Sequence, residues 1–402
     1  MHSQIKSRDG ELFIENNETK ILLDPSKVES NDFVFISHAH SDHVYRRPKN
    51  KTRIKTITSK ETETIAKARG YEITNTIYEK QDLELIDSGH ILGSKGLLAF
   101  NEIFYTGDIS IRKRAFLNPP KKIPQIDTLI IESTFGRPEY IFPDHTKIIH
   151  YANKIIADAY DKGHPVIIMG YPLGKAQLLT NFFEHWDPLF AYDSIEIMNN
   201  IYRKMGISLR NTTCLTEAEK SKKLDTKNPW VMLAPLMNGN SKFLRYMKEK
   251  YNTITLGFSG WACNQGYKHM MGIDYALPMS DHCDYNELIQ LVHKCNPKKI
   301  FTIHGFAHEF ARILNNMGYD ANPIDNHSNK IRKIKKESIT KNNRIKSSSS
   351  NTIRKRSNNS VNSRIRNNNI LIILYFIKIM VCAYQSLLFK FLSDSRFRIS
   401  EK

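Results

Sequence analysis

Cysteine is scarce in this chain. Its 402 residues hold 5, Cys214, Cys263, Cys283, Cys295 and Cys382, and no two stand at CxxC spacing. A disulfide framework is therefore not expected, and scattered thiols in an odd number fit a reducing, cytosolic compartment. An apolar start is also missing. Met1–Glu11 is polar and no apolar run follows it, which argues against a secretory leader. Internal repeats are absent. A large charge imbalance is missing from most of the chain, although the total of +18 suggests otherwise. Met1–Ser328 carries 41 basic and 38 acidic residues, whereas Asn329–Lys402 carries 18 and 3. The basic excess belongs to the tail and says little about what the body acts on. The tail itself suits a polyanion such as nucleic acid, an anionic membrane, or plain solvation.

What is present has the texture of a folded enzyme-sized body, with 40% apolar and 25% charged residues. Short apolar runs bounded by turn residues predict strands at 13–14, 21–23, 33–36, 83–86, 96–100, 103–105 and 128–131. Lys60–Arg69 reads as a helix ended by Gly70. A strand-rich first third suggests sheets packed face to face. From residue 143 to 279 the pattern becomes α/β alternation, with helices at 147–162 and 175–185 around a buried strand at 165–169, the texture of an inserted domain. A return segment, 280–325, reads helix, strand, helix. From residue 326 to 402 the composition falls to Asn, Ser, Lys, Arg and Ile. Within it, Ile370–Leu392 is apolar and long enough to span a bilayer. Lys378 near its centre costs roughly 2.5–3.5 kcal/mol on insertion, so the expectation is at most a weak membrane association.

The densest chemistry is Ser37-His38-Ala39-His40-Ser41-Asp42-His43, directly after the strand at 33–36. Four ligand-type side chains in six positions, separated by small residues, point to metal binding. Imidazole and carboxylate suit Zn²⁺, with Mn²⁺ as an alternative. Ser88-Gly89-His90, followed by Gly93-Ser94, and Thr106-Gly107-Asp108 each put a ligand candidate on a glycine-containing turn after a strand.

In this order the residues resemble the metallo-β-lactamase superfamily, whose HxHxDH motif, later His and later Asp they match. Asp24 in Leu23-Asp24-Pro25 matches the early aspartate that supports the metal loop. The resemblance implies an α/β fold, an αββα sandwich. It also implies His38, His40 and His90 on one metal, Asp42 and His43 on a second, and Asp108 bridging. Two such cations, two Zn²⁺ per chain, can activate water and clamp the oxygens of a phosphodiester.

Downstream residues resemble the β-CASP branch, whose members cut nucleic acids. Glu132 in Ile131-Glu132-Ser133-Thr134, His282 in Ser280-Asp281-His282 and His304 in Thr302-Ile303-His304-Gly305 match its motifs A, B and C. The α/β segment before His282 stands where that branch carries its cap domain. The match implies His304 as a ligand of the second metal, and His282, oriented by Glu132, as general acid. Asp42, Glu132 and His282 are thus the candidate catalytic residues. Lys175, in Tyr171–Gln177, and Ser94 are candidate substrate contacts, Lys175 through its ammonium and the neighbouring amide on a phosphate. Stretches such as Ser280–Leu288 look like the exonucleases encoded beside DNA ligases, while a histidine at motif C is typical of RNA-cutting members. The expectation is a metal-dependent exonuclease acting on DNA or RNA, in DNA repair or RNA 3′-end processing, with a DNA ligase or RNA-processing complex as partner. The rival readings are a hydrolase of small esters or thioesters and a non-catalytic nucleic-acid-binding subunit.

Overall fold

The computed structural model describes residues 4–8, 10–16, 19–29, 33–45, 54–224 and 228–324. The chain divides into two units, Met1–Asn329 and Lys330–Lys402, and all described elements belong to the first. The low-complexity segment from 326 on, its apolar run at 370–392 and Cys382 lie outside the described residues. Among the described residues no helix is long and apolar enough to cross a membrane.

The first sheet runs in chain order: β1 (Gln4–Arg8), β2 (Glu11–Glu15), β3 (Lys20–Leu23), β4 (Phe33–Phe35), β5 (Lys55–Ile57) and β6 (Thr76–Ile77). Helix α1 (Lys60–Ala68) follows β5. Ser59 caps it by accepting from the Thr62 amide at 3.0 Å, and Gly70, at φ +86°, stops it. The chain then enters a second sheet through β7 (Leu83–Asp87), β8 (Lys95–Ala99), β9 (Ile103–Tyr105) and β10 (Thr128–Glu132).

Between β10 and the rest of that sheet lies α2 (His145–Tyr160), β11 (Val166–Gly170), α3 (Lys175–Phe182), β12 (Leu189–Ala191), α4 (Asp193–Lys204), β13 (Thr213–Cys214), α5 (Leu215–Lys220), β14 (Val231–Pro235), α6 (Lys242–Tyr251), β15 (Ile254–Ser259), α7 (Tyr267–Met271) and β16 (Tyr275–Pro278). Its six strands form a separate, all-parallel sheet in the order β13-β12-β14-β11-β15-β16. Such a sheet needs helices on both faces, which explains why β11 is buried at every position. The chain then returns with α8 (Tyr285–Cys295), β17 (Lys299–Ile303), α9 (Ala307–Asn316) and β18 (Ala321–Pro323), completing the second sheet in the order β18-β17-β10-β9-β8-β7.

The layers follow from alternation along the strands, since successive side chains point to opposite faces. Leu12, Ile14, Ile21, Leu23 and Phe35 of the first sheet meet Leu97, Ile103, Tyr105, Ile130 and Ile303 of the second in one core. Phe13, Leu22 and Val34, one residue out of phase, pack with Ile65 and Ala66 of α1. Leu129 and Ile131 pack with Leu288, Leu291, Phe310 and Leu314 of α8 and α9. That is an αββα sandwich, as expected from the sequence.

The elements that sequence periodicity did not show are mostly in the third sheet and at edges. β12, β13 and β16 are two to four residues long, too short for a period to emerge.

Candidate metal centre

The ligand-type residues gather where parallel strands end. β4 leads into His38, β9 into Asp108, β10 ends at Glu132, and β17 leads into His304. β9, β10 and β17 are neighbours in parallel register, Tyr105 beside Ile130 and Glu132 beside Ile303. Their carboxyl-end residues therefore emerge on one edge of the sandwich, the usual place for chemistry in such sheets. His90 joins from the turn between β7 and β8. The last of these turns is tight: His304 itself sits at φ +59° and Gly305 at φ +46°. A Cβ on Gly305 would lie 2.4 Å from the Thr134 Cα, so only glycine allows β17 to turn there against the end of β10.

Among the described residues four overlapping groups of donor atoms result: His38/His40/His90/Asp108, His43/Asp108/His304, Asp24/His38/His43 and Asp108/Glu132/His282. Asp108 is common to the first two, while Asp24 and Glu132 are hydrogen-bonded to His43 and His282. Asp108 Oδ2 lies 3.4 Å from His38 Nε2, 3.5 Å from His43 Nε2 and 3.6 Å from His90 Nε2. These are too long for hydrogen bonds. They match ligand-to-ligand spacing around one ion, since bonds of roughly 2.1 Å at tetrahedral angles put donor atoms about 3.4 Å apart. The donor set therefore fits a cation such as Zn²⁺.

The outer nitrogens are held by partners that fix which nitrogen faces inward. His90 Nδ1 donates to the Asp281 carbonyl at 3.0 Å, and His40 Nε2 to the Leu173 carbonyl at 3.2 Å. His43 Nδ1 is 2.8 Å from Asp24 Oδ2. Asp24 also accepts from the Ser37 amide (2.6 Å), the Ser37 hydroxyl (2.5 Å) and Tyr105 Oη (2.7 Å). Such outer contacts orient ligating imidazoles and set their tautomer. Burial holds His38 and His90 well below the ordinary imidazole pKa, and the neighbouring histidines lower them further, so both stay neutral, as ligands must. His43 is different. Burial opposes its charge, but Asp108 and Asp24 outweigh it and push the imidazole up to about 10, so a cation held there would have to displace the proton on its inward nitrogen.

Beside this centre stands a pair. Both oxygens of Glu132, fully buried, lie 2.9 Å from His282 Nδ1, and Glu132 Oε1 accepts from the Ile109 amide at 2.8 Å. Burial of His282 works against the imidazolium, yet Glu132 and then Asp108 raise its pKa to about 9. The His282 side chain remains 22% exposed, facing a cleft of about 530 Å³ that His43, Asp108 and His304 also line.

Three sequence-predicted residues stand differently. Asp42 lines the cleft but is 78% exposed and comes no nearer His43 Nε2 than 3.8 Å, outside all four donor groups. Ser94 is buried in its own turn, its hydroxyl on Ile91 and Ser88, and does not line the cleft. Lys175, expected to hold a phosphate, gives its ammonium to the Met279 carbonyl (2.8 Å) and Asp281 Oδ1 (2.9 Å). The same oxygen accepts from Arg114 Nη1 at 2.9 Å, and Arg114 also holds the carbonyls of Gly89 and His90. All three charged residues are buried. A lysine so engaged presents no free charge, because the cost of burying it is met only by its partner.

Two cleft residues carried no sequence signal, Arg69 and Trp261; Phe135 and Tyr171 stand in stretches that resemble the family, but local sequence gave them no role. Asp281 sits beside His282 in the motif, but its ionic role depends on Arg114, from a basic stretch that reads as surface.

Residues 266–318, which contain His282 and His304, match the family described as the Zn-dependent metallo-hydrolase RNA specificity domain. The chain belongs to the β-CASP branch of the metallo-β-lactamase superfamily. It is similar, at 31% identity over 306 residues, to a probable DNA ligase of Opitutus terrae. That match covers 71% of this chain but only 28% of the ligase. An RNase J-like protein of Methanocaldococcus jannaschii is 26% identical over 342 residues, covering 68% of this chain and 81% of its own length. A solved structure from Enterococcus faecalis, titled a protein of unknown function, overlays with a TM-score of 0.53 at 15% identity, covering 79% of this β-CASP chain and 95% of the other, a likeness of fold alone.

Proposed function

We propose that the chain is a metal-dependent phosphodiesterase, a nuclease working from the ends of DNA or RNA. The observation that carries the reading is Asp108, shared by two histidine groups, with the His282–Glu132 pair beside it in one cleft. We assign one Zn²⁺ to His38, His40, His90 and Asp108 and a second to His43, Asp108 and His304, with Mn²⁺ as a substitute. When bound, the two ions activate water and stabilise the charge on the phosphoryl oxygens. The chain's own residues do the rest. Glu132 keeps His282 in its protonated form, and the proton on His282 Nε2, which has no protein hydrogen-bond partner among the described residues, goes to the departing oxygen. Asp24 and the Asp281 and Leu173 carbonyls keep the ligand nitrogens turned inward. Asp42 lines the same cleft, 3.8 Å from His43 Nε2, and we keep it as a candidate for the second ion.

The inserted α/β region, 143–279, acts as the cap, with 1–142 and 280–325 as the catalytic sandwich and 326–402 as a basic extension. An RNA substrate is supported by the family description of residues 266–318 and a DNA substrate by the ligase relative, with a ligase or RNA-processing complex as partner. Reduced, buried Cys283 and Cys295 suit the cytosol. The test is purified full-length protein, supplied with Zn²⁺ or Mn²⁺, on end-labelled single- and double-stranded DNA and RNA. Stepwise, chelator-sensitive shortening of one of them is expected. Hydrolysis of small esters with no cleavage of any nucleic acid overturns the reading.

A further inference from the structure

Trp261 stands at the cleft on a mount built from the catalytic sandwich. It lies in the 3₁₀ turn Gly260–Cys263 that ends β15. Ser259 Oγ accepts from its amide at 3.3 Å and so caps that turn. Its indole packs against Phe135 (ring centroids 4.8 Å apart), Tyr140 (5.5 Å) and Phe306 (6.0 Å). All three belong to the segments that follow β10 and β17 and carry Glu132 and His304. The turn is pressed onto this mount so closely that a Cβ on Gly260 would come within 2.4 Å of the Phe135 ring. Phe135 in turn meets the His282 ring edge-on at 6.0 Å. Trp261 is thus one ring removed from the group that faces the reacting bond. It keeps part of its surface open to the cleft, where exposed Tyr171 also lines the wall.

A hydrophobic core does not need this arrangement. An indole buried for stability is covered on every side, as Trp230 is. A half-open indole fixed by three rings, beside a centre that handles phosphates, presents a flat π-surface at a fixed distance from it. Among the described residues that line the cleft the lysine and the arginine are both engaged: Lys175 with Asp281, and Arg69 with the Ala39 carbonyl. Recognition of the strand next to the cleaved bond then falls to stacking.

We infer that Trp261 is the platform on which the base flanking the cleaved phosphate stacks, and that the cleft therefore takes an unpaired strand without regard to sequence. Every base has a π-face, so such a contact is sequence-tolerant, and a base held on it has left any duplex stack. This inference rests on the nuclease reading above.

The test uses the full-length, metal-loaded protein and single strands carrying one abasic nucleotide, placed in turn on each side of the cleaved bond. Stacking predicts that the wild type loses on the order of ten-fold or more in kcat/KM at one of those positions. Trp261→Ala should show the same loss on the intact strand and no further loss on the abasic one, while Trp261→Phe keeps most of the wild-type rate. Fluorescence of metal-chelated protein should be quenched by single strands in the wild type and much less in Trp261→Ala. Blunt duplex of the same sequence should be the poorer substrate. A wild type that cuts intact and abasic strands equally overturns the platform and leaves the nuclease reading standing. A wild type that neither binds nor cuts any strand overturns both. Because the abasic comparison needs no substitution, it decides the matter even if Trp261→Ala misfolds.

Discussion

Replacing Asp281 by Asn should be among the most damaging single changes outside the ligand set. Its Oδ1 sits 2.9 Å from both Lys175 Nζ and Arg114 Nη1, and all three side chains are at most 5% exposed. The cluster holds two cations and one anion, so removing the anion leaves two like charges buried together. Breaking a buried pair in this way costs about 3–5 kcal/mol, against total stabilities of roughly 5–15 kcal/mol. The value should sit at the upper end, because neither cation keeps a charged partner. For a body of this size that corresponds to a drop of about 10 °C in Tm. The loss should reach the metal centre, since Arg114 also binds the His90 carbonyl and the Asp281 carbonyl accepts from His90 Nδ1. Thermal and denaturant melts of Asp281→Asn measure the first effect and elemental analysis the second. Asp281→Asn combined with Lys175→Met should recover part of the stability, because removing a buried charge with its partner is far cheaper than stranding it. If Asp281→Asn melts within a degree of wild type, or the double variant is as unstable as the sum of the singles, the ionic account is wrong.

His282→Ala should lower turnover by about 10²–10⁴ while metal content stays at the wild-type value; a variant that loses metal would mark His282 as a ligand. Glu132→Gln should show a smaller fall, in kcat more than KM, because it removes the carboxylate that sustains the His282 imidazolium. His304→Ala should take metal stoichiometry from two ions per chain toward one, read by elemental analysis; unchanged stoichiometry would remove His304 from the second group. Deleting Asn329–Lys402 should leave activity intact and flatten the salt dependence of binding, since that segment carries 18 basic and 3 acidic residues; an inactive truncated protein would give the segment a part in the catalytic body.

The sequence by itself determined an inventory of candidate ligands and its order along the chain, although it also offered Asp42, which stands outside the donor groups. His38, His40, His43, His90, Asp108 and His304 each follow a short apolar run, and a polar ligand at a strand end is a local pattern that spacing and turn glycines reveal. The αββα layering was legible for the same reason, since alternation along β2 and β10 states which faces must be buried. Tertiary structure alone decided what each residue touches. That Asp108 serves two histidine groups depends on the parallel register of β9, β10 and β17, which pairs residues more than 170 positions apart. Lys175 shows the limit most clearly. Its place after Gly174 suggested a phosphate contact, but its charge is satisfied by Asp281, 106 residues away in the chain. The aromatic mount under Trp261 is assembled from the two segments that follow β10 and β17, 166 or more residues apart, and no local period brings their rings together. Local sequence fixes which atoms can act, because backbone conformation and side-chain chemistry are local. Long-range packing fixes which of them meet, because desolvation and charge pairing are properties of a neighbourhood.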